Sequence, residues 1–347
     1  MRQRSAGRPS LRRAAATGVA AALVLAAAAC GAEAAKEPVA AWPWPGPTPP
    51  EALEAMLKER RVLRPSPQDL QRIEAAVPDA PPARPAKPRR LLVWGRLWTH
   101  AGNAFAEEAV KILGRKTGAF ETVATDDPRL LLPESLKTFD ALFLNNLHDR
   151  QPFLPLDLKA LPSERQAEAQ QVDMAIKQSI LEFVTEHGRG LAGVHGAIAA
   201  LRDWPDFGEM MGAFYGGHWG GAQVLKLDDP DHPVNACFQR KPFRISDESY
   251  VPGPTYSRSK VRVLLSLDLT KSPDPAEKAD WLKQAMKGRP RDYAITWVKP
   301  HGKGRVFYCC LGHRPSTYAN PLFLRHVLAG IQFAIGDLPA DATPSEK

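Results

Sequence analysis

Five of the nine histidines in this 347-residue chain stand where an apolar run ends, beside glycines, amides or carboxylates. His100 follows Trp98-Thr99 and precedes Gly102-Asn103, and His148 lies in Asn145-Asn146-Leu147-His148-Asp149. His195 lies in Gly193-Val194-His195-Gly196-Ala197, His218 follows Gly216-Gly217, and His313 stands between Gly312 and Arg314. A neutral imidazole can accept a proton or give a lone pair to a metal ion, so several of them gathered at one edge would do acid–base or metal chemistry. A single histidine in a loop more often packs or caps. The His195 segment carries the most information: strand, Gly, any residue, His, Gly and a small residue has the shape of a nucleophile elbow. This elbow presents an imidazole. Neither Cys237 nor the Cys309-Cys310 pair follows such a glycine, so thiol chemistry has no carrier. A helix starting at His195 would disfavour its protonated form and keep it a base or ligand. The plainer reading is that Gly193 and Gly196 allow a tight turn which His195 caps.

Ser246-Asp247-Glu248-Ser249-Tyr250 offers two adjacent carboxylates. In an extended segment consecutive side chains point to opposite faces, so one carboxylate enters a site and the other makes a structural bond. Glu248 shares its face with Ser246 and Tyr250 and is the expected acid/base or ligand. A solvated acidic pair is the alternative. Gly302-Lys303-Gly304-Arg305 lacks the spacing of a phosphate loop and leads into a strand, so a hairpin turn is expected there. No CxxC, HExxH, GxGxxG or EF-hand pattern occurs.

The elements that must position these groups begin at Leu91. Short apolar runs at 91–95, 120–124, 141–144 and 191–195 read as strands. They alternate with amphipathic helices at 104–118 and 171–187, the second closed by Gly188. This alternation predicts an α/β domain whose parallel strands are joined by right-handed crossovers. The second half is richer in strands (222–227, 243–245, 261–267, 294–298 and 305–310) and closes with a helix over 322–335. In such sheets ligands bind beyond the carboxyl ends of the strands, where the histidines stand.

The N-terminal quarter differs. Five arginines precede an uncharged run from Ala14 to Ala29 that ends at Cys30-Gly31. This reads as a signal peptide over 1–29, and small residues before Cys30 resemble a lipobox whose cysteine carries lipid. Ordinary cleavage after an A-x-A site is the alternative. Residues 30–90 hold 13 prolines between Pro38 and Pro88 and read as a tether, with short helical pieces at 51–61 and 67–77. A single domain over 91–337 and a tail over 338–347 complete the organisation. The formal net charge is +8, but residues 91–347 carry 31 basic against 30 acidic groups. The excess lies in the N-terminal quarter, chiefly in the leader, which removes the case for nucleic acid as a partner.

LLVWG followed by His100, then GLAGVHGAIAALRDWPDFGEMMGAFYGGHW, DPDHPVNACF, SDESYV and AITWVKPHGKGRVFYCCLGH with His313, together resemble the ThuA-like family of trehalose-utilisation proteins. The resemblance covers about residues 91–337 and implies a flavodoxin-like fold similar to class I glutamine amidotransferases. It also implies sugar catabolism, acting on trehalose-like or keto-sugar substrates. Two functions follow as expectations. One is an exported enzyme cleaving or converting a sugar, with His195, Glu248 and His313 catalytic and His100, His218, Asp247, Tyr250 and Trp98 contacting substrate. His100, His195, His313 and Glu248 would suit a divalent ion such as Zn2+, and an acid–base pair would work without metal. The other is a non-catalytic cell-surface module stacking sugar rings on Trp98, Trp204, Trp219 or Tyr250. In either case the partners are a carbohydrate and, through Cys30, a membrane; the oligomeric state stays open. Pairing of Cys237 with Cys309 or Cys310 after export stands against buried free thiols.

Overall fold

The computed structural model describes residues 64–95, 100–155 and 158–345, with single positions at 51, 54, 55 and 58. The leader, Cys30, the first part of the tether and Trp98 lie outside the described residues. No helix among the described residues is long and apolar enough to cross a membrane.

One nine-stranded sheet organises the body. β1 (Arg90–Trp94), β2 (Glu121–Thr125), β3 (Ala141–Asn145), β4 (Gly190–Val194) and β9 (Gly304–Cys309) are parallel, in the spatial order β2-β1-β3-β4-β9. Then β8 (Ala294–His301), β7 (Arg262–Leu267), β5 (Tyr215–Leu227) and β6 (Phe243–Pro252) continue it antiparallel. The fold is thus α/β with a strand-rich C-terminal half. β1, β3 and β4 are almost wholly buried, as expected of strands covered on both faces. Between them run α2 (Asn103–Thr117) and α4 (Ser163–Thr185), and α7 (Pro321–Ile335) closes the chain. Gly118 and Gly336 end α2 and α7 in the left-handed conformation, which only glycine adopts cheaply.

Two expectations change. Residues 66–89, read as tether, pack on the body. Ser66 and Asp69 form a capping box that starts α1 (Pro67–Ala76), which buries Ile73 and Ala76, with Val77 buried just beyond. Lys116 Nζ donates to the carbonyls of Glu74 and Val77, and Gln332 brackets Ala83 with two hydrogen bonds. The tail also packs, since Arg262 pairs with Asp341 and Ser345 N–H donates to Val261 O. The second change is the length of β5, expected over 222–227, which runs back through Gly221, Gly220, Gly217 and Gly216 to Tyr215. β5 pairs with β7 only over Leu225 to Leu227, whereas its pairing with β6 extends to Tyr215. The freed ends of β5 and β6 turn over the carboxyl end of β9, where Tyr250 N–H donates to Cys310 Sγ.

The expected hairpin at 302–304 joins β8 to β9, with Gly302 at φ 55°. Three short helices, α3 (Pro133–Leu136) and α5 (Pro205–Met211), each starting at a proline, and α6 (Asp280–Ala285), have no counterpart among the predicted elements. Cys237, Cys309 and Cys310 are free thiols, and Cys309 and Cys310 are buried.

Candidate active site

The carboxyl ends of β1, β3, β4 and β9 meet at one edge, and each is followed by a histidine of the site. Beyond β4, Val194 passes into a single 3-10 turn, His195–Ala199, and His195 takes φ 43°. Beyond β3, its neighbour in register, Asn146 takes φ 49°. Left-handed backbone costs a non-glycine residue roughly 1–2 kcal/mol, which the surrounding structure must offset. Tyr308 does so in part, donating its hydroxyl proton to His195 O at 2.7 Å. The five-residue 3-10 turn lacks the aligned dipoles of a long helix, so the expected helix-dipole effect on His195 is small.

His195 is completely buried, and its Nδ1 lies 2.9 Å from Cys310 O. A carbonyl only accepts, so Nδ1 carries the proton and Nε2 holds a lone pair. That lone pair faces His313 Nδ1 at 3.2 Å and Glu248 Oε1 at 3.6 Å. Glu248 Oε1 is also 3.7 Å from His313 Nδ1. His100 closes the group, its ring 4.8 Å from that of His195 and 5.2 Å from that of His313. His100 N–H donates to Asn103 Oδ1 and Asn103 N–H donates back to His100 O, which ties the residue to the start of α2. Gly196 leaves the room: a Cβ there would lie 2.7 Å from Asn146 O and 3.2 Å from His100 Cε1.

Burial is the main reason His100 and His195 stay neutral. It lowers the pKa of His100 to about 3, helped by His148 and His313. It holds His195 well below the ordinary value, with His100 adding to the effect. Burial acts oppositely on Glu248, raising its carboxyl above the usual range against the attraction of His313. The group opens onto a pocket of about 500 Å³ lined by Ala101, Gly220, Glu248, His313, Arg314 and Pro315.

The remaining predicted residues fall into two sets. His218 is not among the residues that line this pocket: Tyr215 Oη lies 2.5 Å from its Nδ1, and its ring is 5.1 Å from that of Trp281. Asp247 corrects an expectation. Read as a substrate contact, it is wholly buried, and its carboxylate accepts from Gly312 N, Arg314 N, Thr317 Oγ1 and Glu248 N. Tyr250 is likewise buried, packed against the His195 ring at 4.3 Å, so it supports the imidazole and offers no open face to a sugar. Trp204 and Trp219 are core residues beside Phe207 and Tyr293 and cannot stack a ligand. His148, singled out with the other histidines but given no role, is edge-on to His100 at 5.1 Å. Trp281, which was not singled out, is 47% exposed beside His218. Trp281 lies in a segment with no motif.

The family profile described as "Trehalose utilisation" matches residues 90–334. The chain belongs to the ThuA family. Solved structures similar to this ThuA member include a ThuA-like protein of Bacteroides uniformis, 21% identical, covering 72% of this chain and 94% of its own with a TM-score of 0.49. A ThuA-like protein of Parabacteroides merdae is 19% identical over 75% of this chain and 93% of its own, TM-score 0.48. A cytoplasmic protein of Salmonella typhimurium is 13% identical over 70% and 99%, TM-score 0.46. No curated protein matches the chain.

Proposed function

We propose that this ThuA member is an enzyme converting a sugar or keto-sugar of the trehalose type, with its proton transfers made at the His195–Glu248 pair. The observation that carries the reading is the pairing itself. A lone pair on His195 Nε2 and the carboxyl oxygen of Glu248 stand 3.6 Å apart, beside an open pocket. Their environments push the two groups in opposite directions, keeping the imidazole neutral as a base and the carboxyl closer to its acid form. Ordinary glycosidases need two carboxyl groups flanking the bond. Here the adjacent carboxylate, Asp247, is consumed by backbone and hydroxyl donors. One acid and one neutral base suit removal of a proton beside a sugar carbonyl, with Glu248 returning a proton to the departing oxygen.

The deciding assay incubates the chain with intact and 3-oxidised disaccharides and follows products by mass spectrometry, alongside Glu248→Gln. Turnover by wild type that is lost in Glu248→Gln supports the enzyme. Saturable sugar binding with no turnover of any candidate would make the protein a binding module instead.

The leader and Cys30 support a further part of the proposal: export and tethering to a membrane face through acyl chains on Cys30. Intact-mass analysis of the membrane fraction should find a chain starting at a lipid-bearing Cys30. A soluble chain starting elsewhere would remove the anchor.

A further inference from the structure

Three imidazoles packed edge to edge with no opposing charge beyond one carboxylate are an expensive arrangement. Among the described residues His100 Nδ1 is buried with no hydrogen-bond partner, and an unmet buried acceptor is usually removed or satisfied. The lone pair of His195 Nε2 points into the same space. We propose that a divalent metal ion of the zinc class binds between His100 Nδ1, His195 Nε2 and His313 Nδ1, with Glu248 beside it.

Distances support this. In a tetrahedral zinc site with bonds of 2.0–2.1 Å, two ligand nitrogens stand about 3.3 Å apart. His195 Nε2 and His313 Nδ1 are 3.2 Å apart, and Glu248 Oε1 lies 3.6 and 3.7 Å from them. The ligand atoms of the three histidines all lie within 4.8 Å of one another, so the widest gap closes by a lean of the rings. The outer partners are of the kind that metal-bound imidazoles use. His195 gives its other ring proton to Cys310 O, and the His100 ring is held by the backbone of Asn146. The Asp247 carboxylate anchors the loop that carries His313 from both sides, at Gly312 N and Arg314 N. Ligands come from the ends of three different strands, so the fold assembles the site before an ion arrives.

With the ion in place the His195 lone pair is engaged, so the base role given to His195 above belongs to the metal-free form, and in the loaded form Glu248 is the group that moves protons. The ion would polarise a substrate hydroxyl or carbonyl oxygen. This inference shares its site with the proposed sugar chemistry but not its evidence, because binding is measured without sugar.

The test uses the full chain prepared without an affinity tag, analysed for metals, then stripped and titrated with Zn2+ and Co2+. One ion per chain is expected, with the visible absorption of tetrahedral Co2+. His100→Ala and His313→Ala should each weaken Zn2+ by about 100-fold or more, since loss of outer partners alone costs 10–100-fold. His187→Ala, at an exposed position outside the site, should change nothing. Circular dichroism confirms that each variant is folded, and His100→Gln replaces His100→Ala if the latter is not. Binding below one ion per chain, or affinity unmoved in folded His100 and His313 variants, overturns the proposal. Stoichiometric binding with no turnover of any sugar would leave the metal site standing and sink the sugar reading alone.

Discussion

Asp247 holds His313 in place without touching it. One carboxylate oxygen accepts from Gly312 N at 2.8 Å and Thr317 Oγ1 at 2.8 Å, and the other from Arg314 N at 3.0 Å and Glu248 N at 2.9 Å. The loop bearing His313 and the strand bearing Glu248 are therefore fastened to a single buried anion. Adjacent carboxylates divide the work: Asp247 positions and Glu248 faces the pocket.

Asp247→Asn tests that division. An amide group must turn its NH2 toward two donors whichever way it is placed, so two of the four bonds are lost and two donors are opposed. Each charged hydrogen bond is worth about 1.5–3 kcal/mol, so urea denaturation should show a loss of roughly 3–5 kcal/mol. The folded fraction should also lose turnover, with kcat falling more than KM rises. Unchanged stability would mean that the carboxylate is not needed to fix the loop.

Gly196→Ala probes the contact between the elbow and the loop after β3. The added methyl would lie 2.7 Å from Asn146 O, so the Asn146 backbone and the His100 ring at 3.2 Å must give way. Overpacking of this kind costs about 1–3 kcal/mol, which the continuous buried core running from Leu91 to Ile335 can absorb. Expected is a folded protein with a displaced His100 and at least tenfold lower activity or metal affinity. Wild-type activity would show that His100 has freedom to move and is not held for function.

The body should need residues 66–89. Ile73 is 1% exposed on α1, and Arg89 forms hydrogen bonds to both carboxylate oxygens of Asp337. A chain starting at 64 is expected to melt like the full chain, whereas one starting at 91 should melt well below it or aggregate. Ile73→Ala in the longer chain should cost about 2–5 kcal/mol. Equal melting temperatures for the two truncations would return these residues to the role of spacer.

What could be read from the sequence follows physical range. Strands β1, β3 and β4 stood out because wholly buried strands are continuous apolar runs, and the histidines after them were placed by the rule that parallel sheets bind at their carboxyl ends. Glu248 and Asp247 were separated by strand alternation alone. Strand alternation gave Asp247 a structural bond, but its partners were not legible, because residues 312, 314 and 317 are brought to it only by the turn of β6 over β9. The glycines at 216–221 hid half of β5, since a strand without side chains has no pattern to show. Prolines hid the docking of residues 66–89: a segment that makes no packed core of its own can still lie against one.

Acid should weaken the fold through a histidine outside the candidate site. His326 is wholly buried in α7, donating from Nδ1 to Val234 O at 3.0 Å and accepting from Thr296 Oγ1 at 3.2 Å. Burial pushes its pKa down to about 4, against 6.5 in the unfolded chain. Between those values the unfolded state binds a proton that the folded state refuses, so stability rises with pH across this window. Above pH 6.5 both states are neutral and the contribution is fully present. It drains away as pH falls toward 4, by about 3 kcal/mol in all, at 1.36 kcal/mol per unit. His326→Gln keeps a donor and an acceptor but does not titrate. Urea denaturation at pH 7.5 and pH 5 should show the variant losing about 2 kcal/mol less than wild type between the two. Identical losses would show that His326 is protonated in the folded protein, or that a rearranged α7 lets it reach water.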